Sequence, residues 1–357
     1  MKRGAMNVCY GGQCGSEAKG KLAAYLVDKF DIKVVAGNLS PNAGHTVIKD
    51  GMKTVTHHIP VGVMGGHDLS RMMVVLGPAS VINPILLIRE IEMLKEGGFD
   101  PYNLIIDERA AIITQAHVRS EEGAMTVIGS TAQGVGEARV DKLMRRGITA
   151  KTVTVSDDLP IPDTSQLIRA AMKSHATVMY EMGQGFDLCI DHGIDPVYCT
   201  SRNCTPMQAL ADMGVSAKYL GDVYAVIRPY PIRVNNRDGS SGPYPSEEIT
   251  WEEVRERCGA PMDITEITTT TKLTRRVFEF AWERIRTMVS VCRPDGFCVN
   301  FLNYLNWNDL DVTSADKLSK ESTAFIKKLE YETGVPVMYG GTGAGHDSMV
   351  DFGKDPL

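Results

Sequence analysis

Several features that would fix the class of a chain at once are scarce or missing here. The 357 residues include eight cysteines (Cys9, Cys14, Cys189, Cys199, Cys204, Cys258, Cys292 and Cys298), yet no two form a C-x-x-C pair and none stands with histidines at zinc-ligand spacing. That argues against a disulfide framework or a zinc module and for reduced thiols in a cytoplasmic protein. No run approaches the ~20 apolar residues of a membrane helix, and Gly11-Gly12-Gln13 follows the charged Met1-Lys2-Arg3 before any signal-peptide core can form. Basic charge is not in excess either, since 38 Lys and Arg face 44 Asp and Glu for a net charge of −6. A nucleic-acid polymer is therefore not expected, while a local basic pocket for a nucleotide remains open. No repeat, low-complexity tract or Pro/Ser-rich linker marks a boundary, so residues 1–357 are expected to form a single domain, with a split near Lys151 as the other division.

What is present is an alternation of strand and helix signals. Met6–Tyr10, Ile32–Ala36, Met72–Leu76, Leu104–Ile106, Tyr224–Ile227, Phe297–Val299 and Val335–Met338 are short apolar runs bounded by turn residues, as in strands buried on both faces. Asp50-Gly51 inside Val47–Val55 signals a hairpin. Helices are predicted over Lys19–Phe30, Pro84–Lys95, Thr164–Met182, Arg276–Val291 and Ser322–Thr333. The fold class is α/β, a large mainly parallel sheet flanked by helices, with a phosphate-loop-like nucleotide-binding architecture.

Gly15-x-x-x-x-Gly20-Lys21 lies between a predicted strand and a predicted helix, where loop amides and a helix N-terminus attract phosphate oxygens. Leu22 stands where a Ser or Thr usually contacts Mg²⁺, so a tight turn without ligand is the alternative. The wider pattern Gln13-x-Gly15-x-Glu17-x-Lys19-Gly20-Lys21, then Asn42-Ala43-Gly44-His45-Thr46 and His58-Ile59-Pro60-x-Gly62, is far more specific. Further on come Ile128-Gly129-Ser130-Thr131, Gly134-x-Gly136, Asp141-Lys142, Arg145-Arg146-Gly147, Gln184-Gly185, Asp191-His192-Gly193 and Asn203.

Through these segments the chain resembles the adenylosuccinate synthetase family from its first strand to Gly345, and in length it is similar to the compact archaeal and viral branch. The resemblance implies a homodimeric C–N ligase that phosphorylates a purine O6 with a nucleoside triphosphate and then lets the amine of L-aspartate displace that phosphate. It implies catalytic roles for Ser16, Lys19, His45 and Gln184, with His45 as general acid. Gly15, Ser16, Glu17, Ala18, Lys19, Gly20 and Lys21 would cradle the triphosphate, with Gly341 and Gly343 of a second glycine-rich loop against its base. Ser16, Asn42, Ser130, Thr131, Gln184, Thr200 and Arg145 would bind the acceptor monophosphate, Arg145 reaching in from the neighbouring subunit. The Gly44 carbonyl and Ser16 would ligate Mg²⁺. Thr269, Thr270, Thr271, Lys272 and Arg275 are similar to the loop that binds the aspartate carboxylates, although a plain edge strand also fits four threonines. His57 and His58 read as structural or surface residues.

Two departures from the family pattern matter. Aligning its guanine-reading Thr-Lys-Leu-Asp segment with Asn303-Tyr304-Leu305-Asn306 puts an amide where the family has a carboxylate, which suits an adenine edge and implies ATP or dATP as donor. Ser16 replaces the Asp that takes the purine N1 proton, and leaves room for the 2-amino group of guanine. That resembles the viral branch, which ligates aspartate to dGMP. An ordinary synthetase acting on IMP, or a non-catalytic nucleotide-binding paralogue, remains the alternative.

Overall fold

The computed structural model describes residues 1–357 apart from 126–127, 154, 156–158, 237–238 and 269–271, and only the backbone of 123–124. The apolar runs pair into a nine-stranded sheet: β1 Met6–Gly11, β2 Val34–Gly37, β3 Met73–Leu76, β4 Leu104–Ile106, β5 Val178–Gly185, β6 Leu220–Ile227, β7 Gly296–Val299, β8 Val337–Gly341 and β9 Met349–Asp351. The spatial order is β9-β8-β7-β6-β1-β5-β2-β3-β4. Every neighbouring pair is parallel except β8 with β9. The sheet is thus mainly parallel, as its unbroken apolar strands require.

Successive residues of β1 face opposite layers. Val8 and Tyr10 pack with Ile168, Met172, Ile285, Met288, Ile326 and Leu329 on one face, whereas Cys9 packs with Leu22, Leu26, Leu87 and Ile91 on the other. The second set comes from helices α1 (Lys19–Lys29) and α2 (Pro84–Glu96), and α2 is opened by Asn83, whose side chain accepts from the amides of Ile85 and Leu86. The hairpin forms between His45–Lys49 and Met52–Thr56, with Asp50 and Gly51 both at positive φ.

Two helix expectations are corrected. Thr164–Met182 contains a helix only over Thr164–Lys173. His175 takes φ 63°, reversing the chain, and Val178 onward becomes β5, which pairs with both β1 and β2. Likewise Arg276–Phe278 is a strand of a small three-stranded sheet, and the helix there is Trp282–Cys292. The β-forming Val277 and Phe278 pair with Ile232 and Glu248, which outweighs their helix-compatible spacing.

Candidate active site

The carboxyl ends of β1, β5 and β6 lie side by side, with Gly11 opposite both Gly185 and Val226, and open-sheet α/β proteins place ligands at such ends. A cleft of about 360 Å³ opens there. The loop between β1 and α1 forms one wall and needs its small residues. A Cβ on Gly11 would lie 2.5 Å from the Glu17 carboxylate, and Gly15 takes φ 93° against Gln184. Glu17 accepts from the Gly15 amide at 2.6 Å and from Lys19 Nζ at 3.3 Å, while Lys19 also donates to the Gly15 carbonyl at 2.8 Å. Gln13 ties the loop to the end of β6 by exchanging two 3.0 Å bonds with the backbone of Arg228.

His45 opens the hairpin and enters the cleft. Its Nδ1 lies 2.9 Å from Glu181 Oε1 of β5, and Glu181 Oε2 accepts from the Gly62 amide at 2.9 Å. An ionised carboxylate only accepts, so Nδ1 carries the hydrogen. His45 Nε2 is buried and has no partner among the described residues. That nitrogen is therefore the ring atom left for a molecule in the cleft that His45 lines.

Ser16 sits beneath a guanidinium. Its Oγ accepts from Arg275 Nη1 at 2.7 Å, and its carbonyl accepts from Arg228 Nη1 at 3.2 Å. Glu266 bridges the two arginines, hydrogen-bonded to Arg228 and 3.9 Å from Arg275 Nε. Burial pushes the Arg275 pKa down, with Glu266 opposing the shift. The Arg228 guanidinium stacks 3.9 Å from the ring of Phe301, which lines the cleft and holds φ 63°.

Of the residues predicted from sequence, Gly15, Ser16, Ala18, Lys19, Gly20, Asn42, Gly44, His45, Ser130, Thr131, Gln184, Thr200 and Arg275 line this one cleft. Glu17 supports it from within the loop. Others are elsewhere. Lys21 points behind the loop, donating to the carbonyls of Gly343 (2.7 Å) and Ser348 (2.8 Å), and burial lowers its pKa to about 8. Gly341 packs against Asn300 and Lys21 on that same side. Asn306 has both ends of its amide engaged, donating to Glu321 at 3.0 Å and accepting from the Asn308 amide at 3.0 Å, so it caps a turn outside the cleft wall. Lys272 is exposed, and Arg145 projects to solvent past α4 (Val135–Leu143), the helix that follows α3 (Gln115–Ala124). Thr269, Thr270 and Thr271 lie outside the described residues. His58 is structural, its ring joining Glu90 to the Asn83 amide.

Sequence reasoning missed Glu181, Arg228, Glu266 and Phe301. A carboxylate inside the apolar run Tyr180-Glu181-Met182 was the available signal for the first. Among the described residues no three His, Cys, Asp or Glu side chains gather as a metal site. Ser16 and Gly44 line the same cleft, but Ser16 Oγ already accepts from the Arg275 guanidinium, so Mg²⁺ there would be held largely by substrate phosphates.

A family model described as adenylosuccinate synthetase matches residues 8–160 and 156–312. The chain is 37% identical to the N6-succino-2-amino-2′-deoxyadenylate synthase of Vibrio phage phiVC8, over 84% of this chain and 87% of that one. It is 32% identical to the adenylosuccinate synthetase of Methanocaldococcus jannaschii over 99% of both. Its fold superposes with a TM-score of 0.82 and 28% identity on the succinoaminodeoxyadenylate synthetase of cyanophage S-2L, solved with dGMP and with dATP as energy donor, covering 97% of this chain and 95% of that one. With the family's phosphate loop, His45 and Gln184 gathered on one cleft, the chain belongs to the adenylosuccinate synthetase family and is a C–N ligase.

Proposed function

We propose that the enzyme joins L-aspartate to C6 of dGMP with hydrolysis of ATP or dATP, giving N6-succino-2-amino-2′-deoxyadenylate through a 6-phosphoryl intermediate. The observation that carries this reading is Ser16, a short neutral side chain held by Arg275 on the cleft wall where the family pattern has a carboxylate. The phage relatives support the same acceptor. In this scheme the amides of Gly15–Gly20 and the Lys19 ammonium hold the triphosphate, and His45 donates to the purine O6 as charge develops there. Asn42, Ser130, Thr131, Gln184 and Thr200 hold the acceptor. Arg275, with Thr269, Thr270, Thr271 and Lys272, receives the aspartate carboxylates. Ser16 and Gly44 would be the chain's contribution to a Mg²⁺ site, whose charge would neutralise the phosphates. Adenine-donor preference rests on the S-2L neighbour rather than on Asn306, which is committed to its turn.

A homodimer is part of the proposal. Arg145 is exposed beside Leu143 (76% exposed) and Met144 (61%), an apolar rim suited to a second subunit. The second reading, an IMP-specific synthetase, is favoured by the end-to-end match to the archaeal enzyme. Incubation with aspartate, ATP and either dGMP or IMP decides between them. Faster turnover of dGMP supports the proposal, and turnover of IMP alone overturns it.

A further inference from the structure

A narrow recess of about 10 Å³ adjoins the cleft and shares with it the walls made by Ala43, His45, Val135, Gln184, Thr200 and Ser201. Two guanidiniums, those of Arg139 and Arg202, face it. Arg202 is well anchored, donating to the carbonyls of Asn38 (3.1 Å) and Gly183 (3.5 Å) and to Asp212 Oδ2 (3.4 Å). Arg139 is not. Its one hydrogen bond is a 3.4 Å contact from Nη2 to the Ala79 carbonyl, and its buried Nε has no partner among the described residues.

The charges around the recess do not balance. Asp212 is the carboxylate closest to both arginines, and it already accepts from Asn38, Gln208 and Arg202. Lys142, one turn further along α4, spends its ammonium on the carbonyls of Pro78 and Arg109. Burial, reinforced by repulsion from Arg202, lowers the Arg139 pKa to about 10. A buried cation short of partners is costly unless a ligand supplies the missing acceptor. The geometry narrows the ligand. Helical side chains lean towards the N-terminus of their helix, so Arg139 on α4 leans towards Val135 and Gly136, the part of α4 that lines the cleft beside Ser130 and Thr131. The recess has room for roughly one water-sized group, which fits a single oxygen of an anion seated in the cleft rather than a whole ligand.

We propose that Arg139 and Arg202 form an anion subsite that receives a 5′-phosphate oxygen of the acceptor nucleotide from within the same chain. This rests on the reading that the acceptor is a purine nucleoside monophosphate. It adds a cationic pair in cis to the hydroxyl and amide groups of the cleft wall, independent of any residue from a second subunit.

The test compares ligands with and without the phosphate. Calorimetric titration of the full chain with dGMP and with deoxyguanosine gives the ratio of the deoxyguanosine to the dGMP dissociation constant, and Arg139→Gln is expected to reduce that ratio roughly 10–100-fold, the loss of one charge-assisted hydrogen bond. Arg139→Lys restores part of it, and KM for aspartate and ATP stays within about twofold in both variants. If Arg139→Gln does not fold, the Arg139 Nε–H resonance of the wild-type protein decides: it shifts with dGMP and not with deoxyguanosine. The same titrations with IMP and inosine separate the two readings. An Arg139-dependent ratio for IMP with no dGMP binding keeps the subsite and overturns the dGMP assignment. A ratio that Arg139→Gln leaves unchanged for both purines, with bound water alone in the recess, overturns the subsite.

Discussion

The two sides of the phosphate loop treat similar residues in opposite ways. On the cleft side Lys19 and His45 line the cavity, and each is held by a buried carboxylate, Glu17 or Glu181. On the far side Lys21 donates to the carbonyls of Gly343 and Ser348 beside Gly341, and outside the cleft wall Asn306 is committed to Glu321 and Asn308. Residue type therefore did not decide function here; the direction imposed by the first turn of α1 did. Lys19 and Lys21, two positions apart, lie about 200° apart around a helix and cannot face one ligand from the same side.

The strongest way to break this contrast is at His45. His45→Ala is expected to lower kcat by roughly 10²–10³ with KM for the acceptor nearly unchanged, because in the proposed scheme its ring acts as charge develops on O6. Glu181→Gln is expected to have a smaller effect, since the amide still holds the ring in place but no longer carries the opposing charge. Single-turnover rates for both variants check the order. A rise in acceptor KM with kcat unchanged would place His45 in binding alone.

Lys21 sharpens the other side. Its folded pKa near 8 lies below the ordinary lysine value of 10.5. Between those values the unfolded chain holds a proton that the folded chain has released, so the Lys21 contribution to stability rises with pH across that window. Wild type is expected to gain on the order of 2–3 kcal/mol relative to Lys21→Met from pH 8 to pH 10.5, read by urea unfolding at each pH. Parallel curves for the two proteins would show that Lys21 keeps its proton and that the buried ammonium is better solvated than its two carbonyl partners suggest.

Ser16 joins the comparison because Arg275 reaches it from the opposite wall. A carboxylate at position 16 would pair with that guanidinium and crowd the space beside the purine N1. Ser16→Asp is therefore expected to move the dGMP-to-IMP ratio of kcat/KM towards IMP by about tenfold, in the range of a steric change of one small group. An unchanged ratio would remove base selection from position 16.

How much of this was legible depended on whether a motif fixed its own geometry. Asp50-Gly51 determined its hairpin, and Asn83-Pro84 determined the start of α2, because each acts through backbone angles or amides within a few residues. The phosphate loop was readable for the same reason. Glu181 was not, since Thr164–Met182 satisfies helical spacing and nothing local announces the reversal at His175. The strand that carries the residue orienting His45 was thus hidden inside an expected helix. Arg228 and Glu266 were hidden differently: they are 38 residues apart and meet only through the end of β6 and the loop that precedes Arg275.

Asn306 tests the lesson at its weakest point. Its assignment depended on register after β7, and a shift of a few residues moves a side chain from the cleft wall to a turn. The residues that follow β7 directly are Asn300, which donates to the carbonyls of Glu17 and Ala18, and Phe301, which lines the cleft. Asn306 comes later and is satisfied by Glu321 and Asn308. Asn306→Ala is accordingly expected to change kcat/KM for ATP by less than about twofold and to leave the ATP-to-GTP ratio of kcat/KM unchanged, while costing about 0.5–1 kcal/mol of stability through the lost turn cap. Steady-state rates with both donors and a thermal melt of the variant read the two effects separately. A tenfold loss with ATP alone would return Asn306 to the donor site, and would require the turn at Trp307–Asp309 to open when nucleotide binds.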